Sequence, residues 1–142
     1  MNAKQKFLHG WLSHLTAAMD EHLEYGKKIA LLEDCGRACA GTHVLETALR
    51  YKGNLEGWLI QMRKWVGADN VKKEGNTVSI VYEKCLCPLV QDLSPLKTKT
   101  FCHCSRGWLL ENFSAVLDRP VEVDLEESIM MGGKQCRFVV YI

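Results

Sequence analysis

The chain has 142 residues, with a hydrophobic share of 47%, a charged share of 25% and a formal net charge of +1. That is one domain's worth of chain with enough apolar content for a packed core, so a mainly disordered state is excluded. A charge balance near zero gives no general electrostatic reason to bind nucleic acid or an anionic membrane surface. The longest apolar runs, Ile29–Leu32 and Phe138–Ile142, fall far short of the roughly 20 residues of a membrane span. No apolar signal-peptide core stands in the opening segment MNAKQKFLHGWLSHL, so the expected compartment is the cytoplasm.

The opening stretch reads as a helix, because Phe7, Leu8, Trp11, Leu12, Leu15, Met19, His22 and Leu23 recur at three-to-four spacing. Gly26 interrupts or weakens it. A second helical stretch covers about 27–51, with Ile29, Leu32, Cys35, Cys39, His43, Leu45 and Leu49 toward its buried side. Asn54 is placed to cap a third helix over 55–66, in which Leu55, Trp58, Leu59, Met62 and Val66 share a face. The pattern then changes to alternation. Residues 71–74 and 77–83 flank Gly75–Asn76, a two-residue hairpin signal.

An irregular cysteine-bearing segment follows, and Ser105 is a plausible cap for a helix over about 106–117. Pro120 opens a strand with Val121, Val123 and Leu125 on one side and Glu122, Asp124 and Glu126 facing water. After Gly132–Gly133 the strand CRFVVYI carries Cys136, Phe138, Val140 and Ile142 on one side. Its apolar run predicts a central position or cover on both faces. The expected fold is α+β: one domain over 1–142, with N-terminal helices (1–66) packed on a mostly antiparallel four-stranded sheet built from two hairpins separated by a helix (67–142).

Seven cysteines, at 35, 39, 85, 87, 102, 104 and 136, are the unusual quantity. The count is odd and nothing marks secretion, so a disulfide framework is not expected. Metal binding, thiol chemistry and ligand contact remain. Cys85/Cys87 and Cys102/Cys104 are Cys-x-Cys pairs, and in an extended strand residues i and i+2 point to one side. Such pairs can bring four thiolates round a tetrahedral zinc, and the competing reading is that they are small buried hydrophobes.

Cys136 alone reads as core packing at a sheet end. Cys35, Cys39 and His43 stand at i, i+4 and i+8, a thiol–thiol–imidazole stripe on one helix face. Gly36 would let either a ligand or another element approach that stripe. His103 reads as exposed. Trp58 reads as core, and Trp108 as core or as a contact for a bound ligand.

The stretch CHCSRGWLLENFSAVLDRPVEVDLEESIMMGGKQCRF resembles the four-vinyl-reductase domain family, which is structurally similar to TRAPP-complex subunits. The likeness covers about 77–142. Cys102 stands five residues before Gly107–Trp108, Asp118–Arg119 forms the turn, and Cys136–Arg137–Phe138 closes the pattern. The resemblance implies zinc held by cysteines and an acidic residue beside a small-molecule pocket, with Cys102 and Cys136 as carried-over ligands. The pattern's middle cysteine, eight residues before Cys136, is Ser128 here. Cys87 and Cys104 are the expected replacements, with Cys85 as substitute. A weaker similarity is to cysteine-rich bacterial proteins labelled aminothiazoline-carboxylate hydrolase-like, and it would bring Cys35 and Cys39 to the same pocket.

Three functions follow as expectations. The first is a zinc-containing small-molecule-binding or sensor domain, with a homodimer suggested by the resemblance and an iron–sulfur cluster less favoured. The second is a hydrolase of a small cyclic amide- or thiazoline-like substrate, with Cys35 or Cys39 as nucleophile and His43 as base. The third is an interaction domain with a structural zinc.

Overall fold

The computed structural model describes residues 1–96 and 98–142. Helix α1 spans Ala3–His22, and α2 runs from Tyr25 to His43. Asn2 starts α1 with a reciprocal capping box, in which its side chain accepts from the Gln5 N–H while the Gln5 side chain accepts from the Asn2 N–H. The predicted helix 27–51 is divided: α2 stops at His43, and a short α3 continues over Leu45–Arg50. Helix α4 occupies Leu55–Val66, capped by Asn54 accepting from the Gly57 N–H. Strands β1 (Val71–Glu74) and β2 (Thr77–Tyr82) form the expected hairpin. Gly75 takes φ +59° at its turn, a conformation that glycine adopts without a Cβ penalty.

Helix α5 covers His103–Leu117, with Cys102 at its N-cap position, so the predicted Ser105 cap lies inside the helix. The consequence is chemical. Cys102 and Cys104 are not an extended i, i+2 pair facing one way. In the first helical turn successive side chains diverge by about 100°, and the two sulfurs meet different neighbours.

Strands β3 (Glu122–Glu127) and β4 (Cys136–Tyr141) complete an antiparallel sheet of order β1-β2-β4-β3. β4 is central, as expected. Its inner side chains Cys136, Phe138 and Val140 are buried, whereas Arg137 and Tyr141 on the other face are exposed, so cover lies on one face only. A bulge between Leu125 and Glu127 shifts the β3–β4 register just before the last pair, Glu127 with Arg137, and the chain then runs on to Ser128.

The main core sits between the sheet and helices α4 and α5. Trp58, Leu59 and Met62 from α4 and Leu109, Phe113 and Val116 from α5 meet Val78, Ile80, Phe138 and Val140. Helix α2 lies against α5 with backbone touching backbone. A Cβ on Gly36 would fall inside the Cys104 carbonyl and 2.9 Å from the Trp108 nitrogen. A Cβ on Gly107 would fall 2.8 Å from the Glu33 Cα. Gly36 therefore admits α5 itself, the second of the two roles read from the sequence. Ion pairs Arg37–Glu111 and Arg106–Glu33 flank the crossing.

Helix α1 is held differently from its reading as a buried-face helix. Only Leu12 and Thr16 are buried, while Phe7 (71% exposed), Trp11 (56%) and Leu15 (39%) face outward. Leu12 joins a second, smaller apolar cluster with Val90, Leu93, Leu96, Phe101, Cys102 and Met130. This cluster folds the loop between β2 and α5 over the end of the sheet.

Candidate thiol site

Four elements bring the cysteines to that end of the molecule. Cys35 and Cys39 lie on α2, Cys85 and Cys87 on the loop after β2, Cys102 and Cys104 at the start of α5, and Cys136 at the start of β4. All seven are free thiols. Cys102 and Cys136 are buried, and Cys85 and Cys87 pack against the smaller apolar cluster that contains Cys102.

The segment after the β3 bulge joins the two buried sulfurs. The Ser128 hydroxyl, itself buried, donates to the Cys102 sulfur at 2.7 Å, and the next residue, Ile129, directs its N–H to the Cys136 sulfur at 3.4 Å. The Cys102 thiol is pushed up to about 12 by burial, opposed by the Ser128 hydrogen bond and reinforced by repulsion from Cys136, Cys85 and Cys87. Burial also raises Cys136, against the Ile129 and Ser128 hydrogen bonds. Cys85 is raised by burial, opposed by a hydrogen bond from the Cys87 backbone and reinforced by the charges of Cys87 and Cys136.

The remaining thiols form a second group. Cys104 is pushed up to about 12 by burial and by Cys87, Cys39 and Cys35. The positive end of α5 favours a thiolate there, but desolvation and the neighbouring sulfurs outweigh it. Cys39, half-buried, is raised by burial and by Cys87. Its sulfur stands 4.0 Å from the His43 Nε2. Cys35 is exposed one turn before it.

Electrostatically, Cys136 and Cys85 act on Cys102, Cys39 and Cys35 act on Cys104, and Cys87 acts on both Cys102 and Cys104. His103 is half-buried, with its Nδ1 accepting from the Arg106 side chain, and its pKa is lowered by burial and by that guanidinium. Trp108 packs half-buried against the main core. Among the described residues, no group of three or more His, Cys, Asp and Glu side chains could hold a metal ion as placed.

Beside the thiols lies a cavity of about 550 Å³, lined by Tyr25, Lys28, Leu96, Thr98, Thr100 and Met131, among others. Thr98 and Thr100 are buried. The Lys28 ammonium pairs with Asp20 at 2.9 Å and sits 5.8 Å from the centre of the Tyr25 ring. The sequence reading missed this cavity, since its walls come from α1, α2 and two loops and share no local pattern. It missed Ser128 as a hydrogen-bond donor too, although the spacing that makes Ser128 a departure from the cysteine pattern already pointed at the position. Among the described residues, no helix is long and apolar enough to cross a membrane.

A model of the family described as "Family of unknown function (DUF6144)" matches residues 2–141. No curated protein matches the sequence. Among solved structures, a trafficking protein particle complex subunit 3 from Naegleria fowleri, covalently bound to palmitic acid, is similar over 96% of this chain and 93% of its own. The TM-score is 0.61 at 16% sequence identity, a likeness of fold. The α+β, TRAPP-like architecture expected from the sequence is the one found.

Proposed function

The chain belongs to DUF6144, a family of unknown function, and from that premise we propose that it is a metal-thiolate binding or sensor domain of the four-vinyl-reductase kind. Cys85, Cys87, Cys102 and Cys136 would hold one zinc-class ion beside the small-molecule cavity. The observation that carries the reading is the pair of hydrogen bonds from Ser128 and Ile129, which gathers the sulfurs of Cys102 and Cys136 at one dipeptide.

The chemistry of the donor set suits zinc. Sulfur is the ligand that borderline-soft ions favour, and O–H and N–H groups aimed at ligating atoms are the usual outer support of such a site. When bound, the ion would supply fixed positive charge that keeps the thiolates deprotonated. Cys85 and Cys87 stand on a loop outside regular structure, so closing on an ion requires no strand or helix to break.

The position of the cavity supports a sensing role. Thr98 and Thr100 lie just before Cys102 in the chain, and Met131 and Gly132 lie just after Ser128 and Ile129, so cavity and thiols share two segments. The ammonium of Lys28 and the two buried threonine hydroxyls would suit a small organic molecule with an anionic or hydrogen-bonding head. Burial raises the Cys39 thiol, which counts against Cys39 itself as the nucleophile of the hydrolase reading. A homodimer remains part of the proposal, with the outward stripe Phe7, Trp11 and Leu15 on α1 as the surface that would meet a second copy.

The test is elemental analysis and cobalt(II) substitution of reduced, tag-free full-length protein. We expect stoichiometric metal and an intense thiolate-to-cobalt absorption that Cys102→Ser with Cys136→Ser abolishes. Absence of metal after titration overturns the proposal. Intact-mass measurement of the same sample checks for a covalent acyl group like the one on the trafficking subunit, and such an adduct on Cys102 or Cys136 would overturn it also.

A further inference from the structure

The cavity beside the thiols is lined by two threonines whose hydroxyl hydrogens can be counted. Thr98 and Thr100 are 6% and 4% exposed, and both form part of the cavity wall. Their hydroxyl oxygens lie 3.3 Å apart, so one of the two donates to the other. The Thr98 oxygen also accepts from the Thr100 N–H at 3.2 Å. A hydroxyl carries one proton and two lone pairs. The pair therefore holds two hydroxyl hydrogens, and its internal bond uses one. Among the described residues no acceptor meets the second. Whichever threonine donates inward, a buried O–H on the wall is left for the contents of the cavity to satisfy.

The charged groups on the wall narrow the chemistry. Lys28 and Lys99 stand against Asp20 there, so the described wall carries one positive charge in excess. The Lys28 side chain is only 11% exposed, which holds its charge at the wall. One hydrogen of its ammonium goes to the Asp20 carboxylate at 2.9 Å, and an ammonium has three. Donors thus outnumber acceptors, and a fitting ligand brings acceptor oxygens and negative charge. Leu96 and Met131 add apolar surface beside these groups.

We propose that this cavity is a site for a small monocarboxylate with an apolar body, its carboxylate taken by the Lys28 ammonium and by the spare hydroxyl of the Thr98–Thr100 pair. A single excess charge favours a monoanion over a phosphate dianion. The proposal deepens the sensing part of the reading above and rests on it, although its contacts involve no sulfur and no ion.

Benzoate is the probe, with benzamide as its neutral analogue of the same shape and phenyl phosphate as the dianion. Each is titrated into the reduced, metal-free full chain and followed by amide NMR. Benzoate should shift the amides of Thr98, Thr100 and Gly132 and bind about tenfold more tightly than benzamide. Lys28→Met should erase that preference while leaving benzamide binding unchanged, which a merely disturbed wall would not do. Thr98→Val with Thr100→Val should weaken both ligands about tenfold, and circular dichroism verifies the fold of each variant. The carboxylate site is overturned by benzoate that gives no saturable shift, by equal affinity for benzoate and benzamide, by a preference that survives Lys28→Met, by a folded threonine variant that binds as the wild type does, or by tighter binding of phenyl phosphate. Benzoate binding by a chain that takes up no cobalt keeps this site and removes the metal. Cobalt uptake without a benzoate shift does the reverse.

Discussion

Gly36→Ala measures how closely α2 and α5 depend on contact without side chains. In the helix interior the substitution by itself gains about 1 kcal/mol, because alanine loses less backbone freedom than glycine. Against this, the new methyl would overlap the Cys104 carbonyl and lie 2.7 Å from its carbon and 2.9 Å from the Trp108 nitrogen. Ordinary carbon contacts are about 3.5–4.0 Å, so the helices must part by more than about 1 Å. The obstructing atoms are backbone and cannot turn aside. Opening the seam also loosens the reciprocal contact of Gly107 on Glu33.

Overpacking costs about 1–3 kcal/mol, and about 3 kcal/mol is expected where no side chain can yield, leaving a net loss of about 2 kcal/mol after the helical gain of about 1 kcal/mol. Gly41→Ala, on the same helix with nothing within 4 Å of its would-be Cβ, is the control and should gain up to about 1 kcal/mol. Urea unfolding followed by tryptophan fluorescence and circular dichroism, with equal m-values, reads the difference. If Gly36→Ala proves as stable as Gly41→Ala, the close backbone crossing is wrong. Gly107→Ala should cost a similar amount. The double variant Gly36→Ala, Gly107→Ala should cost less than the sum, since one opening of the seam relieves both clashes.

Ser128→Ala should destabilise the metal-free protein by about 0.5–1.5 kcal/mol in the same assay, through loss of a buried donor to sulfur. Ser128→Cys should slow zinc release to a chelator, and an unchanged release rate would place Ser128 away from the ion. Metal-free reduced protein should lose stability as pH rises from about 9 toward about 12, the window of the raised Cys102 and Cys104 thiols. The sign follows from the unfolded thiols ionising first, which draws the equilibrium toward the unfolded chain. Urea midpoints across that range check it, and a flat profile would contradict the burial of these sulfurs. Phe7→Ser with Trp11→Ser should leave the stability of the dilute protein within about 0.5 kcal/mol, because both side chains are already in water. Sedimentation should show the double variant as monomer where the wild type pairs.

The first helix, the helix 55–66 and both hairpins were legible because each carries its own period, whereas the break between α2 and α3 leaves that period unchanged and was not. Trp58, Leu59 and Met62 recur on one face of α4, and Val78 and Ile80 alternate along β2. Which stripe is covered was not legible. Phe7, Trp11 and Leu15 repeat as regularly as Leu12 and Thr16, and only the packing of the loop after β2 decides between them. The start of α5 was misplaced by reading Ser105 as its cap. The helix begins earlier because Cys102 adopts the cap position without any side-chain bond, which composition does not announce. The convergence of thiols was readable as a possibility from spacing. The division into two groups was not, since it depends on the helical turn at 102–104 and on what Gly36 lets in.

The order β1-β2-β4-β3 has a kinetic corollary. β4 hydrogen-bonds to β2 on one side and β3 on the other, so neither hairpin can finish the sheet alone. As the polypeptide emerges from the ribosome, the inner border of β2 stays unpaired until residues 136–141 arrive. That delay makes the apolar side of the first hairpin the stretch most in need of shielding during synthesis. The same closing event carries Cys136 to Cys102, so sheet completion and assembly of the sulfur site are one step.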